Sequence, residues 1–468
     1  MLCDCETALF ETENEEKSLI ENKERLFYNN KNSSLFCWRF MIDQEKKEFR
    51  YLDLFAGAGG LSEGFIRAGF IPVAHVEMNT SACYTLKTRL AYHWLSKCDK
   101  VDIYKSYLEG NISRDELYKN VPEKVLESVI NKEISDETIP SIFSKIDHVL
   151  EDGNKIDLII GGPPCQAYSL IGRACDVNKM QNDKRNYLFR YYALFLKKYL
   201  PKYFVFENVV GLLSARDKSK KYYFEEMKDL FQENGYTVEY RILNSSHYGV
   251  PQNRKRVILV GKKGGDDSNF YPIPEEWITN ITVSEILRDL PKIKAGQGSV
   301  LPCKTNENCS SWLYEAGIEN KSLPVTWHQS RPNNEQDLEI YKKAVESWNN
   351  GHQRLNYNDL PEHLKTHKNR HSFTDRFKVV AGDLPYSQTI MAHIAKDGHY
   401  YIHPDINQNR SLTPREAARL QTFPDDYFFE SESGKYSRTD AFRQIGNAVP
   451  VLLAQKIAEK LKEKMRYE

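Results

Sequence analysis

The chain has no apolar run of about 18 residues, the minimum for a helix that crosses a membrane. It also lacks a basic start followed by an apolar stretch. Glu11 to Glu24 is acidic and polar instead, so no signal peptide is expected. Nine cysteines fall at irregular spacings, which excludes a disulfide framework and points to a reducing, cytoplasmic setting. Cys3-x-Cys5 and Cys303-x5-Cys309 lack CxxC spacing and have no second matching pair, so no metal is expected. There is no internal repeat. Net charge is absent too, with 65 basic and 65 acidic residues. A neutral total does not advertise a nucleic-acid partner, yet Arg216 to Lys221, Arg254 to Lys263 and Lys365 to Lys378 are locally basic.

What is present is a long alternation. The chain's 468 residues can bury a large core and suffice for two domains. Residues 1–48 read as a charged extension. From Phe49, short apolar strands alternate with amphipathic helices: strands at Tyr51–Phe55, Ile71–Val76, Leu158–Ile160 and Tyr203–Glu207, helices at Leu61–Ala68, Thr80–Tyr92, Tyr187–Tyr199 and Tyr222–Asn234. Two further strands follow, Thr237–Asn244 and Arg256–Gly261. This order predicts an α/β fold with a doubly wound, mostly parallel sheet. Residues 113–152 are charged and read as an insertion over the sheet edge. Residues 265–409 lose the alternation and read as a second, smaller, irregular domain. Residues 410–468 return to the first domain and end in the helix Val451–Lys464.

Chemistry-bearing residues gather at predicted strand ends. Asp53-Leu-Phe-Ala-Gly57-Ala-Gly59-Gly60 is a strand, a glycine-rich turn and a helix start, suited to close approach by a ligand with an anionic group. Glu77 follows the next strand, where a carboxylate can meet a ribose diol. NAD, FAD and S-adenosylmethionine all fit that pair of features. Gly161-Gly-Pro-Pro-Cys165 holds a cysteine at a strand's carboxyl end, the place where open α/β sheets put their chemistry. Glu207 emerges on the same edge. Gln252, Arg254 and Arg256 alternate at period two and so share one face.

In this order, the motifs DLFAGAGG, Glu77, GGPPCQ, ENV, QNRKR, RSLTPREAARLQTFP and RQIGNAVP make the chain resemble the DNA (cytosine-5)-methyltransferases. The match runs from about Phe49 to Lys263 and from Arg410 to Ala458. The resemblance implies an S-adenosylmethionine-dependent methyltransferase fold, double-stranded DNA as substrate and transfer of a methyl group to C5 of a flipped cytosine. Catalytic roles would fall to Cys165 as nucleophile, Glu207 at the base's N3 and amine, Arg256 as an electrostatic support, and Arg254 close to the reacting centre or its phosphate. The cofactor would be held by Phe55, Ala56, Gly57, Gly59, Gly60, Glu77 and Met78, with Leu188 and Asn447 completing the pocket. Members of the family carry an Asp in a Gly-Asp-Ile-like turn that meets the adenine amine. The nearest match here is Gly110-Asn111-Ile112, which assigns Asn111 and Ile112 to that place.

The resemblance also implies a monomer in a prokaryotic cell or phage-infected host, acting beside a restriction endonuclease of the same site. Residues 265–409 would be the target-recognition domain. Eight of the twelve histidines lie between His328 and His403, and His363, His367 and His371 repeat every four residues, a helical spacing that metal ligands use but that with Lys365, Lys368 and Arg370 reads rather as a phosphate-facing or solvated stripe. Arg376, Lys396 and His399 are candidate DNA contacts. A tRNA cytosine-5 methyltransferase and a non-catalytic DNA-binding relative are the alternatives. The long region 265–409 argues against the first, and intact Cys165, Glu207 and Arg256 against the second.

Overall fold

The computed structural model describes residues 48–150, 153–164, 187–217, 219–265, 269–307, 309–371 and 374–467. Cys165 lies outside them. In chain order the first elements are β1 (Arg50–Leu54), α1 (Gly60–Arg67), β2 (Ile71–Glu77), α2 (Thr80–Lys97), β3 (Val129–Asn131), α3 (Ile139–Val149) and β4 (Leu158–Gly161). There follow α4 (Leu188–Tyr199), β5 (Tyr203–Val209), α5 (Tyr223–Glu233), β6 (Tyr236–Asn244), β7 (Gln252–Asn253) and β8 (Lys255–Lys263).

Seven strands form one sheet in the order β3-β2-β1-β4-β5-β8-β6. All are parallel except β8, which runs antiparallel to both of its neighbours. Its inner strands are apolar on both faces, as a sheet covered by helices on each side requires. Leu52, Leu54, Ile159, Phe204 and Leu259 are all buried in one continuous core. The predicted doubly wound, mostly parallel α/β sheet is therefore what the chain forms.

Residues 113–152 are not an insertion over the edge. Val129-Ile130-Asn131 pairs with His75-Val76-Glu77 and is itself the edge strand. Ile139, Ile142 and Ile146 bury one face of α3 in the main core. The charged residues that give the segment its insertion-like character lie on the outward side of α3 and in the stretches flanking β3, where they mask the apolar signal of a strand only three residues long.

Beyond β8 the chain forms α6 (Glu335–Gly351), β11 (Ser387–Gln388), α7 (Pro414–Leu420), α8 (Arg438–Asn447) and α9 (Val451–Arg466), with the two-residue strands β9 (Gly298–Ser299) and β10 (His328–Gln329) between. Helix α6 carries a small core of its own, in which Ile340, Tyr341, Ala344 and Val345 meet Tyr357, Leu360, Leu364 and Phe377. Strand β11 pairs in parallel with β7 in a separate two-stranded sheet, which ties this region to the chain just before β8. The expected helical histidine stripe does not form. Only Glu362–Leu364 makes a short 3-10 turn, and His367 Nδ1 bonds locally to Asn369.

The segment before and within α7 is held by buried arginines. Arg410 forks onto both oxygens of Glu416, at 2.8 and 2.7 Å. Arg419 bridges Asp289 and Asp425. Arg415 donates to the carbonyls of Thr326, Pro424 and Tyr427. Removing any one of these side chains would leave carboxylates or carbonyls stranded in the interior.

Beside the glycine-rich turn, Tyr51, Ser62 and His75 form a buried chain of hydrogen bonds, with Ser62 Oγ 2.5 Å from the tyrosine oxygen and 2.7 Å from His75 Nε2. Burial, helped by the nearby His93, pushes the His75 imidazole down to about 4. The unfolded chain takes up a proton near pH 6.5 and the folded chain only near 4, so stability falls across that window as pH drops. The expected loss from this one group is about 3 kcal/mol at pH 4. Urea unfolding of wild type and His75→Gln at pH 7.5 and pH 4.5 checks this: the variant should lose markedly less stability between the two.

Candidate active site

The parallel strands bring their carboxyl ends to one edge, and pairing register sets them level. Leu54 pairs with both Val76 and Gly161, Glu77 with Asn131, and Gly161 with Phe206. Glu77 on β2 and Glu207 on β5 are thus separated by three strand spacings, roughly 14 Å. One end of this ledge is built to receive a ligand, and the other carries the ionic groups.

At the first end, β1 runs into the turn Phe55–Gly60. Phe55, Gly57 and Gly59 all have positive φ (58°, 55° and 82°), a backbone that only glycine adopts without strain. Gly57 N–H donates to Glu77 Oε2 at 2.8 Å, and Asn79 N–H to Glu77 Oε1 at 2.7 Å. Burial raises the Glu77 carboxyl against these hydrogen bonds. Met78 is more than half exposed although it follows a buried strand, leaving an apolar face open beside the acid. A Cβ on Gly60 would meet the Val449 carbonyl at 2.4 Å, so the start of α1 lies against the turn that follows Asn447. Tyr427 donates to the Ala58 carbonyl at 2.6 Å and fixes the turn from the other side.

Asp53 is the residue that sequence reading passed over. It is 1% exposed, and neither carboxylate oxygen has a hydrogen-bond partner among the described residues. Burial, with Glu77 nearby, raises its carboxyl well above the usual range. An orphaned buried acid two residues before a ligand-binding turn fits a site that receives a polar or cationic group. The open space around the Cβ direction of Gly57 fits it as well.

At the second end, β4 leads through Gly162, Pro163 and Pro164 to Cys165. A Cβ on Gly162 would come within 2.7 Å of Glu207 Oε2, so the glycine makes room for the carboxylate. Arg256 Nε donates to Glu207 Oε1 at 2.9 Å, with both side chains 13% exposed. Antiparallel pairing of β5 with β8 aligns Arg256 with Val209 and so brings the pair together. Asn208 Nδ2 reaches the Pro163 carbonyl at 3.2 Å and ties the cysteine's approach to the glutamate's strand. Gly162→Ala is expected to displace Glu207 and lower the catalytic rate at least about tenfold with the fold retained. Activity beside thermal unfolding checks it, and unchanged activity would show that the carboxylate has room to spare.

Two assignments are corrected. Arg254 is 1% exposed, and its guanidinium donates to the Ile390 carbonyl at 2.8 Å and faces that of Gly446 at 3.4 Å. The period-two alternation holds, but a fork of buried donors needs carbonyls, and Arg254 clamps main chain rather than meeting a reacting centre or a phosphate. Gln252 is buried alike, bonded to the Leu420 carbonyl, Gln421 and the Ile390 amide. Asn111, followed by Ile112, sits in an exposed turn after the helix Val101–Leu108 and bonds to its own neighbour Glu109. The strand end beside Glu77 is occupied by Asn131. The apolar pair Val129-Ile130 before it was the signal that could have located it.

Leu188 opens α4 and Asn447 closes α8, half-buried and exposed respectively. Of the candidate DNA contacts, Arg376 is ion-paired with Asp397, and His399 bonds to Tyr341 at 2.8 Å. Both belong to the packing of their own region.

A family model described as C-5 cytosine-specific DNA methylase matches residues 49–122 and 115–463, the whole of the sheet and all but the last few residues after it. The chain belongs to the C-5 cytosine-specific DNA methylases. It is 42% identical over 446 residues to the type II methyltransferase M.Bpa9945I of Bacillus paralicheniformis, covering 88% of this chain and 98% of that one. It is 30% identical over 428 residues to M1.HphI of Haemophilus parahaemolyticus, covering 91% and 90%. A solved structure of a candidate DNA modification methyltransferase from an E. coli prophage shares the fold, with a TM-score of 0.58 at 23% identity over 89% of this chain and 99% of that one. The methylase is thus a DNA cytosine-5 methyltransferase whose curated relatives are type II enzymes. Among the described residues no helix is long and apolar enough to cross a membrane.

Proposed function

We propose that the methylase transfers a methyl group to C5 of a cytosine flipped out of duplex DNA, through a covalent bond between Cys165 and C6. The observation that carries this reading is the Glu207 carboxylate, seated over Gly162 and ion-paired to Arg256, beside the strand that delivers Pro163, Pro164 and Cys165. Cytosine C5 is a poor nucleophile. Addition of the Cys165 thiolate at C6 makes the ring an enamine, with electron density at C5, and splits one hard step into two easier ones. Glu207 holds a proton at N3 while charge develops there, and Arg256 keeps the carboxylate oriented. After transfer, loss of the C5 proton and expulsion of the thiolate restore the aromatic ring. A base stacked in a duplex exposes neither C6 nor N3 in this way, which is why flipping belongs to the reading.

S-adenosylmethionine, when bound, supplies the electrophilic methyl group. Glu77 would accept from its ribose hydroxyls, Phe55, Ala56, Gly57, Gly59, Gly60 and Met78 would line it, and Leu188 and Asn447 would close the pocket. Asn131 would offer its amide at the adenine end, where the level of β3 with Glu77 supports it. Residues 265–409 would form the target-recognition domain. Kinship with type II enzymes supports a protective role beside a restriction endonuclease of the same site.

The test is product identity. Purified protein with labelled S-adenosylmethionine and duplex DNA should yield 5-methylcytosine on nucleoside analysis. Label on an exocyclic amino group would overturn the mechanism.

A further inference from the structure

A cavity of about 170 Å³ lies between β7 and the region after α6, away from the Glu207–Arg256 pair but joined to it by the chain. Asn253 forms one wall, and Arg354, Lys378, Leu355, Leu384 and Tyr386 contribute to the others. Asn253 is three residues from Arg256, so their Cα atoms are at most about 11 Å apart. That distance corresponds to about three steps of a duplex, at 3.4 Å each. The Asn253 wall of the cavity is therefore within reach of the bases that flank a cytosine held at Arg256.

Its lining is one-sided in charge. Among the described residues Arg354 and Lys378 line it, and no carboxylate does. The Lys378 ammonium is already engaged by Asp375 and the Tyr400 hydroxyl. Arg354 is exposed and makes no hydrogen bond or ion pair with the described residues, which leaves its fork of donors for a ligand. A double acceptor such as guanine O6 and N7 matches that fork, whereas adenine and cytosine present an amino donor that arginine cannot accept. A phosphate would match the charge, but it gains nothing from the apolar side formed by Leu355, Leu384 and Tyr386. The latter two remain exposed at 36% and 40%. The edge and methyl groups of a base pair do gain from such a wall.

We propose that Arg354, in this cavity, is a specificity-determining residue that reads a guanine flanking the target cytosine. The inference rests on the reading of the protein as a DNA cytosine-5 methyltransferase that flips its target.

The experiment methylates a duplex library, randomised around cytosine, with wild type, Arg354→Ala and Arg354→Lys, and maps the product by bisulfite sequencing. Wild type should demand guanine at one flanking position. Arg354→Ala should relax the preference there by about five- to a hundredfold and leave preference elsewhere intact. Arg354→Lys should retain part of it. A uniform fall over all sequences, with a shallower dependence on salt, would identify a phosphate contact and overturn the proposal. An unchanged preference in Arg354→Ala would overturn it equally. If wild type itself placed no methyl group on C5, the failure would belong to the functional reading rather than to Arg354.

Discussion

Cys165→Ala is expected to abolish methyl transfer while leaving the binding of S-adenosylmethionine intact. The substitution removes the sulfur and nothing else, and without a thiolate at C6 the ring has no route to an enamine. Neither Glu207 nor Arg256 can substitute. A carboxylate paired to a guanidinium at 2.9 Å holds or shares a proton, and it does not add to an aromatic ring. Single-turnover methylation and equilibrium cofactor binding, measured on the same preparation, separate the two effects. Cofactor binding should persist because the groups proposed for it end β1, β2 and β3 or lie on α4 and α8, whereas the cysteine follows β4. Residual turnover within tenfold of wild type would mean that another nucleophile acts.

Glu207→Gln is expected to slow the chemical step by about 10²- to 10⁴-fold, the range for loss of a positioned proton donor or acceptor. Glutamine keeps the shape of the side chain and can still accept from Arg256 Nε, so the fold has no reason to suffer. What it loses is the charge that holds a proton at N3. The signature is therefore a fall in kcat with cofactor affinity unchanged, since Glu77 is roughly 14 Å away along the sheet edge. A matching fall in cofactor affinity would place Glu207 in the wrong site. Arg256→Ala should show a smaller fall in the same direction, because it orients the carboxylate and does not touch the proton itself.

Most of this ledge was legible in the residues because strand ends announce themselves. An apolar run followed by glycines, or by Pro-Pro-Cys, fixes both the element and the edge at which its chemistry emerges, and Gly57, Glu77, Gly162 and Glu207 all follow that rule. Residue types with two good uses were harder. Arg254 looks the same in sequence whether it faces a phosphate or buried carbonyls, and only the burial of Ile390 and Gly446 around it decides. Gly110 and Ile112 single out Asn111 in sequence, because β3 is only three residues long and is flanked by the charged Glu127, Lys132 and Glu133, so it does not read as a strand. Asn131 went unnoticed for the same reason. The histidine stripe failed because spacing by four residues means nothing unless a helix forms, and the segment from Lys365 to His371 makes none. The orphaned Asp53 could not have been found by spacing at all, since its interest lies in the partners it lacks.

In the proposed reaction the Cys165 thiolate attacks C6 while Glu207 holds the base. Duplex DNA carrying 5-fluorocytosine tests it most directly, because fluorine cannot leave as a proton does and the final elimination stalls. With S-adenosylmethionine present, the methylase should form a one-to-one covalent complex with this DNA, stable to denaturation. Peptide mapping should place the adduct on Cys165, and Cys165→Ala should form none. Tight DNA binding with no covalent complex, or an adduct on another residue, would contradict the account.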